Sequence, residues 1–182
     1  MSGKLLNTLG GSPNDEVYTP EIIWGSVIKA LGPIGLDPCG RADATVDAAH
    51  YFTLGDAPKT SKATWVAQQD GLELDWGGYG LLFINPPYSV LRYPDKFPWV
   101  QKAREEADEA VMFLPASVSS KWWQHTVAKT APVITCLRGR VKHVGAKHGA
   151  AFEQALVYFG PRPDVFVNYF GWTWGWPIVR TA

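Results

Sequence analysis

Short apolar runs alternate with stretches of helical spacing along this chain, and proline or glycine closes most of them. Ile22, Ile23, Val27, Ile28 and Leu31 recur at the interval of one helix face. Thr19 is a good N-cap and Pro20 a good first helical residue, and Gly32-Pro33 stops the run. Residues 34–37 then read as a short strand cut off by Pro38, and residues 42–49 as an Ala-rich helix or turn. Residues 51–54 read as a second strand, and Val66 leads to a third strand end at Asp70. Leu81-Leu82-Phe83-Ile84 has the length and composition of a fully buried strand. Residues 99–107 have helical spacing, residues 111–114 read as a strand before Pro115, and Ser119 caps a helix through Trp122, Trp123 and Val127. Residues 133–137 and 155–159 read as further strands, with a basic hairpin or loop between them. Alternating strands and helices predict an α/β sheet with helices on both faces, and six or seven strands fit the length.

The run at Leu81 ends on Asn85-Pro86-Pro87-Tyr88. Two prolines cannot continue a sheet ladder, so the strand stops at Asn85 and the backbone beyond it is stiff. Tyr88 adds an aromatic face just past the turn. This makes a rigid lip at the carboxyl end of a strand, where open α/β sheets bind ligands. Such a lip suits an exocyclic amine, whose delocalised lone pair makes it a poor nucleophile. The Asn85 side-chain carbonyl and the Pro86 backbone carbonyl can each accept one N–H and hold the nitrogen in place. A planar target would stack on Tyr88.

Charge and composition narrow the partner and the compartment. The 182 residues carry 17 basic and 17 acidic side chains, so net charge identifies nothing. Its distribution does: residues 110–152 contain no Asp or Glu but carry Lys121, Lys129, Arg138, Arg140, Lys142 and Lys147. A one-sided basic stretch is the footprint of a polyanion partner. Cys39 and Cys136 are isolated, with no zinc-ligand spacing, and fit a reducing compartment. No apolar run is long enough to span a membrane, so the chain reads as soluble and cytoplasmic. Nine tryptophans leave room for a surface excess that would stack on bases. Residues 1–16 lack periodicity and read as a mobile N-terminal arm before a single domain over 17–182.

Asn85-Pro86-Pro87-Tyr88 resembles motif IV of the S-adenosylmethionine-dependent amino methyltransferases, and Asp37-Pro38-Cys39-Gly40 resembles their motif I without its later glycines. With Tyr18-Thr19-Pro20, Asp70-Gly71-Leu72 before Trp76, Leu114-Pro115-Ala116 and Gly139-Arg140 in this order, residues 17–160 resemble the small phage-type DNA N6-adenine methyltransferases of the Dam family. The resemblance implies a Rossmann-like methyltransferase sheet and transfer of a methyl group from S-adenosylmethionine to N6 of adenine in DNA, in a host cell's cytoplasm if the chain is phage-encoded. Thr19 and Pro20 would touch the methionine end of the cofactor. Asp37, beside Cys39, would hold its amino group, and Asp70 would contact its adenine. Asp43, Asp47 and Asp56 are all open as the ribose-binding acid. Asn85, Pro86 and Pro87 would form the catalytic lip and Tyr88 would stack on a base flipped out of the duplex. No separate target-recognition domain is expected; loops 89–98 and 138–149 would substitute, with Arg92, Lys96, Arg138, Arg140, Lys142 and Lys147 on phosphates.

Two rivals share these residues. The same tetrapeptide serves enzymes that methylate a glutamine side-chain amide in a protein. The missing motif I glycines also fit a catalytically silent methyltransferase fold that binds nucleic acid. Cytosine N4 is a lesser alternative, because Ser or Thr more often leads the tetrapeptide there, and RNA is open as a substrate.

Overall fold

The computed structural model describes residues 18–41, 46–59, 62–87, 98–144 and 149–180. Helix α1 (Glu21–Leu31) leads into strand β1 (Ile34–Asp37), followed by β2 (Ala48–Thr53), β3 (Thr64–Ala67) and β4 (Leu81–Ile84). Then come α2 (Pro98–Glu106), β5 (Glu109–Pro115), the short helices α3 (Lys121–His125) and α4 (Val127–Thr130), β6 (Val133–Leu137), β7 (Gln154–Phe159), α5 (Pro163–Phe170) and β8 (Gly175–Val179).

The eight described strands form one sheet in the order β3-β2-β1-β4-β5-β7-β6-β8. The first five are parallel, while β7 runs antiparallel to both its neighbours and β8 antiparallel to β6. From β1 the chain moves outward through β2 and β3, then returns to place β4 on the other side of β1. That reversal opens a crevice at the carboxyl ends of β1 and β4, where ligands bind in folds of this kind.

Strand periodicity sends alternate side chains to opposite faces, and both faces are covered. Leu36, Leu82, Ile84, Met112 and Leu114 pack with Trp99, Val100 and Ala103 of α2 and Trp123 and Val127 of α3 and α4. Ile34, Leu81, Phe83, Val111 and Phe113 pack with Ile23, Val27 and Leu31 of α1 and Phe166 and Phe170 of α5. Burial on both sides explains why β4 and β5 are continuous apolar runs rather than alternating ones.

The strand total exceeds the expected six or seven because the aromatic tail adds β8, which the sequence concealed behind Pro177 and its glycines. Pro177 is tolerable there because β8 is the sheet's outer strand. Residues 48 and 49 belong to β2 rather than to an Ala-rich helix. Asp70 lies in the turn three residues beyond β3. Ser120, not Ser119, caps α3, accepting the Trp123 N–H at 3.3 Å. Most tryptophans serve the core: Trp76, Trp99, Trp122 and Trp123 are buried, Trp24, Trp65 and Trp174 pack half-buried against it, and Trp172 and Trp176 are the exposed ones. Among the described residues no helix is long and apolar enough to cross a membrane.

A polar clamp closes the edge opposite the crevice. The buried Glu109 carboxylate accepts the Tyr158 hydroxyl at 2.5 Å and Arg162 Nε at 3.0 Å. Arg162 Nη2 donates both to Glu109 and to the Leu31 carbonyl. The clamp joins the end of α1, the start of β5, the end of β7 and the entry to α5. Burial, then the Glu109 hydrogen bond, pushes the Tyr158 phenol above its ordinary range, so it stays a donor.

Candidate active site

Strand β4 is buried throughout and delivers Asn85 and Pro86 to the carboxyl edge of the sheet. Leu36 of β1 pairs with Leu82, so Asp37 and Asn85 end adjacent strands on the same edge. Asn85 does not stand by itself. Its amide Nδ2 donates to Thr19 Oγ1 at 3.0 Å, across 66 residues of sequence. The expected capping role of Thr19 is thereby replaced. Pro20 is the N-cap of α1, in extended conformation, and no side chain caps the helix. Thr19 is buried at 3% exposure against the lip instead.

On the β1 side, Asp37 is buried and its Oδ1 accepts the Cys39 N–H at 2.9 Å. Burial pushes its carboxyl up from 3.8 to about 7, against the lowering effect of that hydrogen bond. The Cys39 thiol is pushed well above its usual value, first by burial and then by Asp37 and Asp70 together. Both acids therefore face one spot, although 33 positions separate them in sequence. Asp70 Oδ1 accepts the Leu72 N–H at 2.9 Å, which forms the tight turn.

The turn is seated by two residues that the motifs contain, Trp76 and Pro38, through contacts that the motifs do not report. Buried Trp76 donates its indole N–H to the Gly71 carbonyl at 2.7 Å. Gly71 rests on the Pro38 carbonyl so closely that a Cβ would sit 2.1 Å from that oxygen. Gly40 lies against the Tyr51 side chain, where an added Cβ would sit 2.9 Å away. Gly71→Ala must therefore drive the two acidic loops apart. Overpacking of this kind costs roughly 1–3 kcal/mol, divided here between stability and cofactor affinity. Melting and cofactor titration of Gly71→Ala, against the exposed Gly55→Ala, measure both; a Gly71 variant as competent as the control would show that the loops do not need this contact.

The basic loop follows β6 on the same edge, three strand spacings from β4, on the order of 14 Å. Arg138, Arg140 and Lys142 are exposed there. Arg138 Nη2 is held by the Trp172 carbonyl at 3.2 Å. Arg140 pairs with Glu153 at 3.4 Å, an exposed contact worth little but one that lowers the local charge. Glu153 lies one residue beyond the acid-free stretch, so strand pairing alone brings it back. A cleft of about 270 Å³ runs between the start of α1 and this loop, with Ile22, Trp174, Arg138 and Lys142 in its walls.

Tyr18 links the three loops. Its carbonyl accepts the Val144 N–H and His143 Nδ1, each at 3.2 Å, and its ring lies 5.1 Å under the Arg41 guanidinium. Among the proposed ribose acids, Asp47 is exposed and Asp56 accepts from Gln68 at 2.8 Å. Asp43, Tyr88, Arg92, Lys96, Lys147 and the arm 1–16 lie outside the described residues.

Comparisons with known proteins agree with this fold. The family model of DNA N-6-adenine-methyltransferase (Dam) matches residues 8–157. A Listeria monocytogenes protein whose crystal structure is described as that of a putative class I S-adenosylmethionine-dependent methyltransferase superposes with a TM-score of 0.55. The similarity covers 87% of this chain and 68% of that one at 14% identity, which establishes the fold. A search of curated proteins returned no significant match. The family match spans most of the sequence, and the class I sheet carries it: the chain belongs to the Dam DNA N6-adenine methyltransferase family, whose cofactor is S-adenosylmethionine.

Proposed function

We propose that the protein methylates N6 of adenine in DNA, with the target base turned out of the helix onto the Asn85-Pro86-Pro87-Tyr88 lip. The observation that carries this reading is Asn85 itself: an amide at the switch-point edge, next to the strand that ends in Asp37, with its Nδ2 already engaged by Thr19. The carbonyl end of that amide is the acceptor the target amine needs. Pro86 and Pro87 keep the lip stiff, so the pair of acceptors is set before substrate arrives. Tyr88 is the stacking face.

The residues of the β1 side fit the cofactor. A buried carboxyl that burial has pushed to about 7 is the natural partner for an ammonium group, and pairing would return it to its charged form. Asp37 would hold that group, with Cys39 and Pro38 as the wall beside it and Asp70 toward the adenine end. Thr19 and Pro20 close the same crevice from the start of α1. When bound, S-adenosylmethionine supplies an electrophilic methyl carbon to the positioned amine.

Within this chain, recognition of DNA then falls to the stretches 89–98 and 138–149. The decisive experiment is incubation with labelled cofactor and unmethylated DNA, followed by identification of the modified base. Label in N6-methyladenine supports the reading, and label in protein supports the glutamine alternative. Charge reversal at Arg138, Arg140 and Lys142 together should weaken DNA binding and flatten its salt dependence by about one log–log unit per lost phosphate contact. Arg140 should contribute least, because Glu153 already offsets it. An unchanged slope would move the DNA path toward Arg92 and Lys96.

A further inference from the structure

We infer that Thr19 is a positioning residue for the catalytic amide of Asn85, and that the loop carrying Arg140 and Lys142 is its anchor. The inference rests on the reading of Asn85 given above. An asparagine amide has two ends of nearly equal size and opposite hydrogen-bonding sense. The target amine needs the oxygen end; the nitrogen end would set donor against donor. Thr19 Oγ1 accepts the Nδ2 N–H at 3.0 Å, which holds that end of the amide and leaves Oδ1 on the side away from Thr19.

Thr19 can do this only if its own backbone is held. The residue before it supplies the hold, through a buried chain of polar groups. Gln154 Oε1 accepts the Val141 N–H at 3.1 Å, so Gln154 turns its Nε2 donor to His143 Nε2, 2.6 Å away. That leaves the His143 proton on Nδ1, which donates to the Tyr18 carbonyl at 3.2 Å. The Val144 N–H reaches the same carbonyl at 3.2 Å, forming an isolated bridge between Tyr18 and the loop. Gln154 is fully buried and His143 is 4% exposed, so water does not compete for these groups. The path runs from the basic loop through Tyr18 and Thr19 to Asn85. It connects the proposed DNA side of the edge to the lip without using Asp37 or Asp70.

The test is a double-mutant cycle between Thr19 and Asn85, read by single-turnover methylation of an adenine-containing oligonucleotide at saturating cofactor. Thr19→Val keeps the shape of the side chain and removes the hydroxyl. It should slow turnover by roughly tenfold to a hundredfold, since slight misplacement of a reacting group has effects of that size. Thr19→Ser, which keeps the hydroxyl, should recover most of the rate. Because Thr19 also borders the cofactor crevice, calorimetric affinity should fall a few-fold at most in both, well short of the loss in turnover for Thr19→Val, and measurable binding also reports that the variants are folded. In an Asn85→Ala background, Thr19→Val should cost nothing further, because the amide it positions is gone. The inference is overturned if Thr19→Val turns over normally, if it weakens cofactor affinity and leaves turnover intact, or if its loss is equally large with and without Asn85. A fully active Asn85→Ala would instead overturn the lip reading on which this inference stands, so the two failures are distinct.

Discussion

Asn85→Ala should slow methyl transfer on the order of a hundredfold or more and leave cofactor affinity unchanged. Removing one positioned polar group from a preorganised site has effects of that size. The substitution is clean. Strand β4 and the two prolines remain, so the lip keeps its backbone while losing the side-chain acceptor. The loss belongs in turnover because the acidic crevice at Asp37 and Asp70 makes no use of the Asn85 amide. Asn85→Asp offers oxygens at both ends and should keep more activity than alanine. Tyr88 should behave differently: a base-stacking face is worth about 1–3 kcal/mol, so Tyr88→Phe should keep much of the activity and Tyr88→Ala should lose capture of the flipped base as well. Single-turnover rates on an adenine oligonucleotide, with 2-aminopurine fluorescence reporting the flipped base, separate the two roles. Near-wild-type turnover in Asn85→Ala would reduce the stretch to a proline-stiffened loop on a binding protein.

The lip was legible in the sequence because its information is local. Four apolar residues, then Asn and two prolines, dictate a buried strand with a stiff end, and β4 has the bounds that reading gives. Residues 133–137 were equally plain as β6. What escaped is what depends on distant pairing. Thr19-Pro20 carries every local sign of a helix cap, yet the hydroxyl is drawn off by an amide 66 residues away. Asp70-Gly71-Leu72 looked like a strand end, but its place is set by Trp76 reaching back to Gly71 and by the Pro38 carbonyl beneath it. No periodicity reports a close backbone approach between two loops. Helix α5 and strand β8 were hidden by aromatic residues spaced among glycines and prolines, whose burial is decided by α1 and β6 rather than by their own pattern. His143 read as a loop residue and Gln154 fell just before the strand read at 155–159, and only the fold brings them together under Tyr18.

Affinity for S-adenosylmethionine should fall about fiftyfold between pH 7 and pH 5, approaching tenfold per unit at the acid end, and Asp37→Asn should abolish that dependence. Burial raises the Asp37 carboxyl from 3.8 to about 7 in the unliganded protein. Below pH 7 the group is protonated and offers a cofactor ammonium no charge, so each unit of acidification requires one more decade of work to ionise it. The same shift acts on folding with the opposite slope. An acid held more weakly acidic in the folded state than in the unfolded one binds extra proton when folded. Its stabilising contribution is complete below 3.8 and is lost as pH rises through 7. His143 runs against it: burial lowers its pKa from 6.5, so stability from that group is lost as pH falls below 6.5. The two contributions overlap in a melting profile, and the difference between wild type and Asp37→Asn isolates the carboxylate. Calorimetric titrations at half-unit steps give the binding side directly. A wild-type affinity that stays flat from pH 7 to pH 5 would remove Asp37 from the ammonium site and leave Asp70 as the acid that meets the cofactor.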